Sequence, residues 1–319
     1  MKEFLWIPGN GFDEAALNRM QKHFVRPSRP MGEAWFMGSE RYMFDYLCGD
    51  LKQVPTNELI RPLEEIASGM RSFGFNEEWS VWFHYLLGQT IPRSHDRYVD
   101  YLLNSLITAF ITQYPEGVKE EPYKGFYEDA MNTLGKCIMD KQYWNNQDIV
   151  IGSILWPSNN NPKKIWLWDD ASGDFSASMF FCLKYLPSKM IPLWFKSALK
   201  IESPHWRAQL IVWLTGAYKI LNGEIQHPSE LDERPHSPVI GWTGSHLLAG
   251  EFTGDWCKGR PPASPFLPEQ NRVSMLKTIE EEISEALYFQ WLISIEKFDY
   301  LESELGEITT QFSKLYVYK

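Results

Sequence analysis

SPHWRAQLIVWLTGAYKIL, residues Ser203–Leu221, decides the fold class. Ser203 is a natural cap for a first turn, Pro204 stands where a missing N–H costs nothing, and Gly223 just past the end supplies a stop. Trp206, Leu210, Trp213, Ala217 and Leu221 recur at three-to-four spacing, while Ile211, Val212 and Leu214 fill the opposite side. A helix that is apolar nearly all round must be covered on more than one face. The stretch therefore predicts a central, buried helix in an all-α protein.

Composition agrees with a large packed core. The chain has 319 residues, 44% of them hydrophobic and 15% aromatic. A formal charge of −10 favours basic partners and argues against a general nucleic-acid or anionic-membrane surface, which needs clustered Lys and Arg. Cys48, Cys137, Cys182 and Cys257 form no CxxC pair, so neither a disulfide framework nor a zinc ribbon is indicated, and a reducing cytoplasm is the expected setting. MKEFLWIPGNGF lacks the apolar core of a signal peptide, and no run reaches the roughly 18 apolar residues of a membrane span.

Working outward, helical spacing recurs over residues 39–53, 57–73, 77–90, 97–114 and 125–140, and again over 175–186. Two of these blocks echo one another: Met43-Phe44 answers Met179-Phe180, Pro55 answers Pro187, Ile60 answers Ile191 and Trp79 answers Trp206. Repeated short helices that cannot bury their own apolar faces are the sequence sign of an α-solenoid, an α-α superhelix of HEAT-like repeats. The chain then reads as one helical domain over 1–319, with an irregular segment at 1–38, stacked helices at 39–222, a long Pro/Gly-rich loop at 223–271 and C-terminal helices at 272–319. The closing region predicts two long helices, one through Leu276, Ile279, Ile283 and Leu287, the other through Leu301, Leu305, Ile308, Phe312 and Leu315. Between the echoed blocks, Ile149–Trp156 and Lys164–Trp168 flank an Asn-Pro loop and can form a hairpin.

Phe4–Ile7, Pro8-Gly9-Asn10-Gly11 and a helical Phe12–Phe24 form a strand, turn and helix in miniature, but Glu14 stands where a dinucleotide fingerprint needs its third glycine. Gly9–Asp13, GNGFD, resembles the opening of the abortive-infection AbiH family; the resemblance covers those residues and no later stretch extends it. Arg19, Lys22, His23, Arg26 and Arg29 form a basic run without an acid; it reads as a solvated face, with a seat for an anion or an acidic partner as one alternative and nucleic-acid binding through Arg19 to Arg29, resting on Arg26 and Arg29, as another. Asp169, Asp170 and Asp174 do not make a calcium loop, because Phe175 and Phe181 occupy the glycine and glutamate positions; they read as helix-starting acids.

No GxSxG, Walker A, HExxH or His-Glu dipeptide is present. The imidazoles and carboxylates of the long loop, His227, Glu230, Asp232, His236 and His246, are the candidate acid-base or metal groups, at spacings that fit no standard site. No resident metal or cofactor is indicated. His84 reads as a hydrogen-bonded core histidine and His205 as part of a helix start. Of the 14 tryptophans, Trp79, Trp82, Trp194, Trp206, Trp213 and Trp291 read as packing, whereas Trp35, Trp242 and Trp256 sit among glycines or prolines and are candidates for an exposed platform or for pinning a loop. The reading that results is a non-enzymatic binding protein for a macromolecular, basic protein partner, with an inhibitor or immunity-type role as its concrete form. The alternative is an enzyme whose site is built around 223–271.

Overall fold

The computed structural model describes residues 3–36, 42–93, 102–150, 171–228, 238–248 and 265–318. After an extended segment that buries Phe4 and Trp6, α1 (Glu14–His23) begins on Asp13, whose Oδ1 accepts the N–H groups of Ala15 and Ala16. Strands β1 (Met31–Gly32) and β2 (Tyr42–Met43) pair antiparallel, Met31 opposite Met43. Next come α2 (Thr56–Phe73) and α3 (Glu77–Thr90), the latter capped by Asn76, which accepts the Glu78 N–H. They are followed by α4 (Leu102–Gln113) and α5 (Phe126–Thr133), then by a small hairpin of β3 (Trp144–Asn145) and β4 (Asp148–Ile149) turning on Asn146 at φ 58°. The second half holds α6 (Gly173–Tyr185), α7 (Ile191–Leu199), α8 (Pro204–Leu221), α9 (Glu269–Glu282), α10 (Glu285–Ile295), α11 (Asp299–Leu305) and α12 (Ile308–Tyr316). The architecture is all-α, and among the described residues no helix is long and apolar enough to cross a membrane.

α8 is the buried centre that its sequence predicts. Ser203 Oγ accepts the Trp206 N–H, and Gly223 at φ 77° ends the helix with Glu224 N–H on the Lys219 carbonyl. α9, α10, α11 and α12 all pack on it. The Tyr316 hydroxyl donates to the Leu214 carbonyl from one side, and Arg272 of α9 donates to the Leu221 carbonyl at the C-terminal end. Phe175 and Phe180 of α6 also pack on the tryptophans of α8, and among the remaining helices α1 lies on α3 and α5, α2 on α3 and α4, α4 on α6, and α7 on α9. A single continuous cluster of buried apolar side chains runs through all of them.

Three expectations need correction. Residues 42–53 are not helical: Met43 pairs with Met31, Phe44 takes a left-handed conformation at φ 59°, and the chain then makes short 3-10 turns at Asp45–Cys48 and Leu51–Gln53. Gly49 and Asp50 break the run, and the Asp50 carboxylate captures the Lys52 N–H to start a new turn. The echo therefore fails at Met43-Phe44, since Met179 and Phe180 lie inside α6. It survives at Trp79 and Trp206, each three residues after a capping Asn76 or Ser203. The C-terminal region makes four helices rather than two, because Ile283 leaves the helical conformation before Ser284 caps α10, and Gly306 takes φ 44° between α11 and α12. The apolar stripe through Leu301, Leu305, Ile308 and Phe312 stays buried across that second break. Helix α5 ends at Thr133 and tightens into a 3-10 segment over Leu134–Met139. The hairpin expected between Ile149–Trp156 and Lys164–Trp168 lies outside the described residues; the observed one precedes it.

Gly216 lies inside α8, where Ala would ordinarily stabilise by about 1 kcal/mol. Here an added Cβ would meet Ile240 Cγ2 at 2.5 Å and the Pro238 carbonyl oxygen at 2.7 Å. Overpacking of about 1–3 kcal/mol outweighs that gain. Gly216→Ala should therefore lower the urea midpoint; an unchanged or raised midpoint would mean that residues 238–240 do not press on α8.

Candidate functional site

Of the loop residues with acid-base or metal-binding chemistry, Glu230, Asp232 and His236 lie outside the described residues. His227 is half-buried in the irregular stretch that follows α8, and His246 is exposed on a short 3-10 turn, Ser245–Leu248, that packs on α2 and α4. Among the described residues no group of three His, Cys, Asp or Glu side chains could hold a metal ion. Trp256 also lies outside them. Trp242 is not an exposed platform: it is 5% exposed, and its indole N–H donates to Thr108 Oγ1 at 2.8 Å. An indole in an irregular segment needs both apolar cover and an acceptor, and α4 provides them, so Trp242 pins the loop to the scaffold.

The basic run is largely engaged internally. Arg19 forms a bidentate pair with Asp129, which also accepts from the Tyr123 hydroxyl, and His23 stacks on Tyr123 with 4.2 Å between ring centroids. Arg26 donates to the Gly49 carbonyl at 2.9 Å. Arg29 is placed differently, on the rim of a surface cavity of about 380 Å³. Pro27 and Ser28 flank it, Tyr42 and Val81 form exposed apolar walls, Trp82 lies at the buried floor, and Glu77 and Glu78 bring negative charge. Glu78 is partly committed, since its Oε1 accepts the Gly32 N–H at 2.7 Å. At the same end of α2 and α3, Trp35 is 63% exposed with its ring edge-on to Phe73, and Phe75 is 73% exposed. Of the tryptophans expected to be exposed, Trp35 is the one the structure displays among the described residues.

Two polar clusters are assembled from positions that the sequence did not group. At the start of α8, Asp148 Oδ1 accepts from Ser203 Oγ, from His205 Nδ1 at 3.0 Å and from its neighbour's N–H, Ile149, at 2.9 Å; His205 Nε2 in turn meets the Tyr300 hydroxyl. Burial pushes the Asp148 carboxyl up, but the bonds from His205 and Ser203 outweigh it and hold the group below the usual carboxylate range. His84 is the core histidine that its helix predicts, with Nε2 2.6 Å from the Tyr114 hydroxyl and a ring stacked on Phe24; burial lowers its pKa to about 4.

The second cluster joins α4 to α6. Asp174 does not cap its own helix: its Oδ1 accepts the backbone N–H and the side-chain amide of Asn104, serving as a cap for α4 from across the interface. Burial raises its pKa to about 7, against the opposing effect of the Asn104 bonds. Asn104 Oδ1 and Ser105 Oγ beside it are buried without a hydrogen-bond partner.

No family model, curated protein or solved structure matches the chain, so the resemblance of Gly9–Asp13 gains no support from that side.

The raised Asp174 pKa has a definite consequence. Between pH 4 and 7 the unfolded chain releases this proton while the folded chain keeps it, so Asp174 makes the protein progressively less stable as pH rises through that window. Asp174→Asn stays neutral and keeps an acceptor for Asn104. Its stability relative to the parent should rise between pH 4 and 8, by a few kcal/mol at most, since each tenfold difference in proton affinity between folded and unfolded chain is worth roughly 1.4 kcal/mol. Urea denaturation across that range checks it, and a difference independent of pH would contradict the buried-acid assignment.

Proposed function

We propose that the protein is a non-enzymatic binding protein that engages a basic protein partner through the exposed end of α2 and α3. The observation that carries this reading is the exposure of Trp35 and Phe75 beside a cavity walled by Tyr42 and Val81 and edged by Glu77, in a chain that otherwise buries most of its large apolar side chains. Aromatic anchors next to a concave apolar site are the composition of binding hot spots. Tyr42 and Val81 offer a seat for one bulky apolar side chain, Glu77 attracts a Lys or Arg beside it, and Arg29 on the rim can meet a backbone carbonyl. The formal charge of −10 acts in the same direction, speeding encounter with a cationic surface. An inhibitor or immunity-type protein acting on a basic target is the concrete form of this reading.

The finer fold reading belongs to the same proposal. A HEAT-like α-solenoid would present the helix ends as an extended face. The packing of α2 on α3 and α4, and of α4 on α6, supports such a stack. α8 weighs against extending it to the whole chain, because a helix covered by α9, α10, α11 and α12 is a core element rather than one wall of a repeat.

The test is a peptide array probed with the full chain. Peptides carrying Leu, Phe or Trp flanked by Lys and Arg should bind, while acidic counterparts of the same apolar content should not. Val81→Asp should abolish binding by placing a carboxylate on the apolar wall, and Glu77→Lys should weaken it about fivefold, roughly 1 kcal/mol for one rim charge. Binding that ignores both substitutions, or that prefers acidic peptides, would overturn the proposal.

A further inference from the structure

The protein holds two tyrosine–histidine pairs, and they differ in what stands behind the imidazole. In the core pair, His84 Nε2 meets the Tyr114 hydroxyl at 2.6 Å, and His84 Nδ1 faces the Ser80 hydroxyl at 3.5 Å. Burial there lowers the histidine and raises the tyrosine, so neither group readily takes or gives a proton near neutrality. In the other pair, His205 lies between the Tyr300 hydroxyl and the Asp148 carboxylate. A carboxylate only accepts, so the proton on the ring must sit on Nδ1, and Nε2 is left as the acceptor for the phenol. The His205 side chain is 3% exposed and that of Asp148 40% exposed, while Tyr300, in the first turn of α11, is partly exposed. The imidazole is thus fixed on both sides, tilted against the Phe298 ring and stacked on that of Tyr300, with a partly exposed group at each end of the chain.

Ser203 also reaches this carboxylate, but it donates to Asp148 and not to the imidazole, which removes it as the attacking hydroxyl. An acid, an imidazole in a set tautomer and a hydroxyl within reach of its unprotonated nitrogen form the arrangement that activates a nucleophile. Here the hydroxyl is phenolic.

We propose that Tyr300 is an activated nucleophile that accepts an acyl group from a neutral ester or thioester, with His205 as its base and Asp148 as the positioning residue for that base. The phenolic oxygen forms a bond to the acyl carbon and its proton passes to His205 Nε2. The bond from that carbon to the leaving oxygen or sulfur then breaks, and His205 returns the proton to the leaving group, so that an alcohol or thiol departs. The fixed negative charge of Asp148 behind the imidazole stabilises the transient imidazolium. The same charge disfavours an anionic phosphoryl donor and favours an uncharged acyl one. The acyl group stays on Tyr300, a single self-modification without turnover, so the step stands beside a non-enzymatic binding role. The site is built from α8, α11 and the β3–β4 hairpin, and the peptide-binding proposal for α2 and α3 can fail without affecting it.

The experiment treats the full chain with p-nitrophenyl acetate at neutral pH, follows p-nitrophenolate release, and maps acetylated tyrosines by mass spectrometry. Tyr300 should acetylate at least tenfold faster than Tyr318, which is 53% exposed and whose hydroxyl meets the Glu285 carboxylate rather than an imidazole, and Tyr114 should remain unmodified. His205→Gln should bring Tyr300 down to the rate of Tyr318, with Asp148→Asn in between. Taking the ratio of two tyrosines in one molecule separates loss of the base from general loosening, which would raise Tyr114 instead. Should His205→Gln lose its helical circular dichroism, Asp148→Asn carries the test. Equal labelling of Tyr300 and Tyr318 in the parent, or a ratio unchanged in both variants, would overturn the proposal.

Discussion

The fold depends on one crowded junction at the start of α8. The Trp206 indole lies against Trp6, Trp144 and Phe175 at ring-centroid separations of 5.7, 5.5 and 4.8 Å. The three indoles of this junction each donate to a different backbone carbonyl: Trp6 to that of Gly135, Trp144 to that of Ile138, Trp206 to that of Ala198. A buried N–H left without a partner costs about 1–3 kcal/mol, so those carbonyls must lie where the rings need them. This ties together the N-terminal extended segment, the 3-10 segment after α5, the hairpin, the end of α7 and the start of α8. None of them can be repositioned without stranding a donor or opening a void beside an indole.

That dependence explains which parts of the fold were legible in the sequence. The limits of α8 are written locally in Ser203, Pro204 and Gly223, and those of α3 in Asn76 and the acids that follow it. Apolar spacing over 39–53 suggested another helix. What overrode it is partly non-local, a pairing of Met43 with Met31, and partly the local break at Gly49-Asp50 that helical periodicity does not register. The same distinction governs the sites. His205 was readable as part of a helix start because Pro204 precedes it. Its relay was not readable, because Asp148 lies 57 residues before it and Tyr300 95 residues after it. Trp35 was legible as an exposed aromatic from its glycine-rich surroundings, and Trp242 gave the same signal but found cover and an acceptor on α4.

The two tyrosine–histidine pairs show how a neighbouring charge decides what identical buried side chains can do. His84 is enclosed by Phe24, Phe83 and Phe126, so a charge on its ring has no compensating partner and the pair holds α3 and α4 together as neutral groups. His205 is even less exposed, yet one carboxylate turns the same contact into a polarised chain. Proton-transfer chemistry therefore follows from a short strand, β4, delivering Asp148 to the first turn of α8, and not from the histidine itself.

Helix ends elsewhere in the molecule are closed by side chains from other helices. Asp174 of α6 receives the N–H of Asn104 near the start of α4, Asn271 of α9 donates to the Leu183 and Leu186 carbonyls where α6 ends, and Arg272 beside it reaches the end of α8. A regular solenoid closes its helix ends within each repeat, so that copies can be added or removed. Here each of these ends depends on one particular residue elsewhere in the chain, and α9 alone closes two helices. Such caps fix the order and register of unlike helices. A substitution at Asn271 therefore acts on the end of α6, and one at its neighbour Arg272 on the end of α8. At the exposed end of α2 and α3 the closure is local instead: Gly74 at φ 86° ends α2 by backbone conformation, and Asn76 caps α3 from within its own turn. A junction closed by its own residues needs no covering helix, and that leaves Phe75 between them accessible.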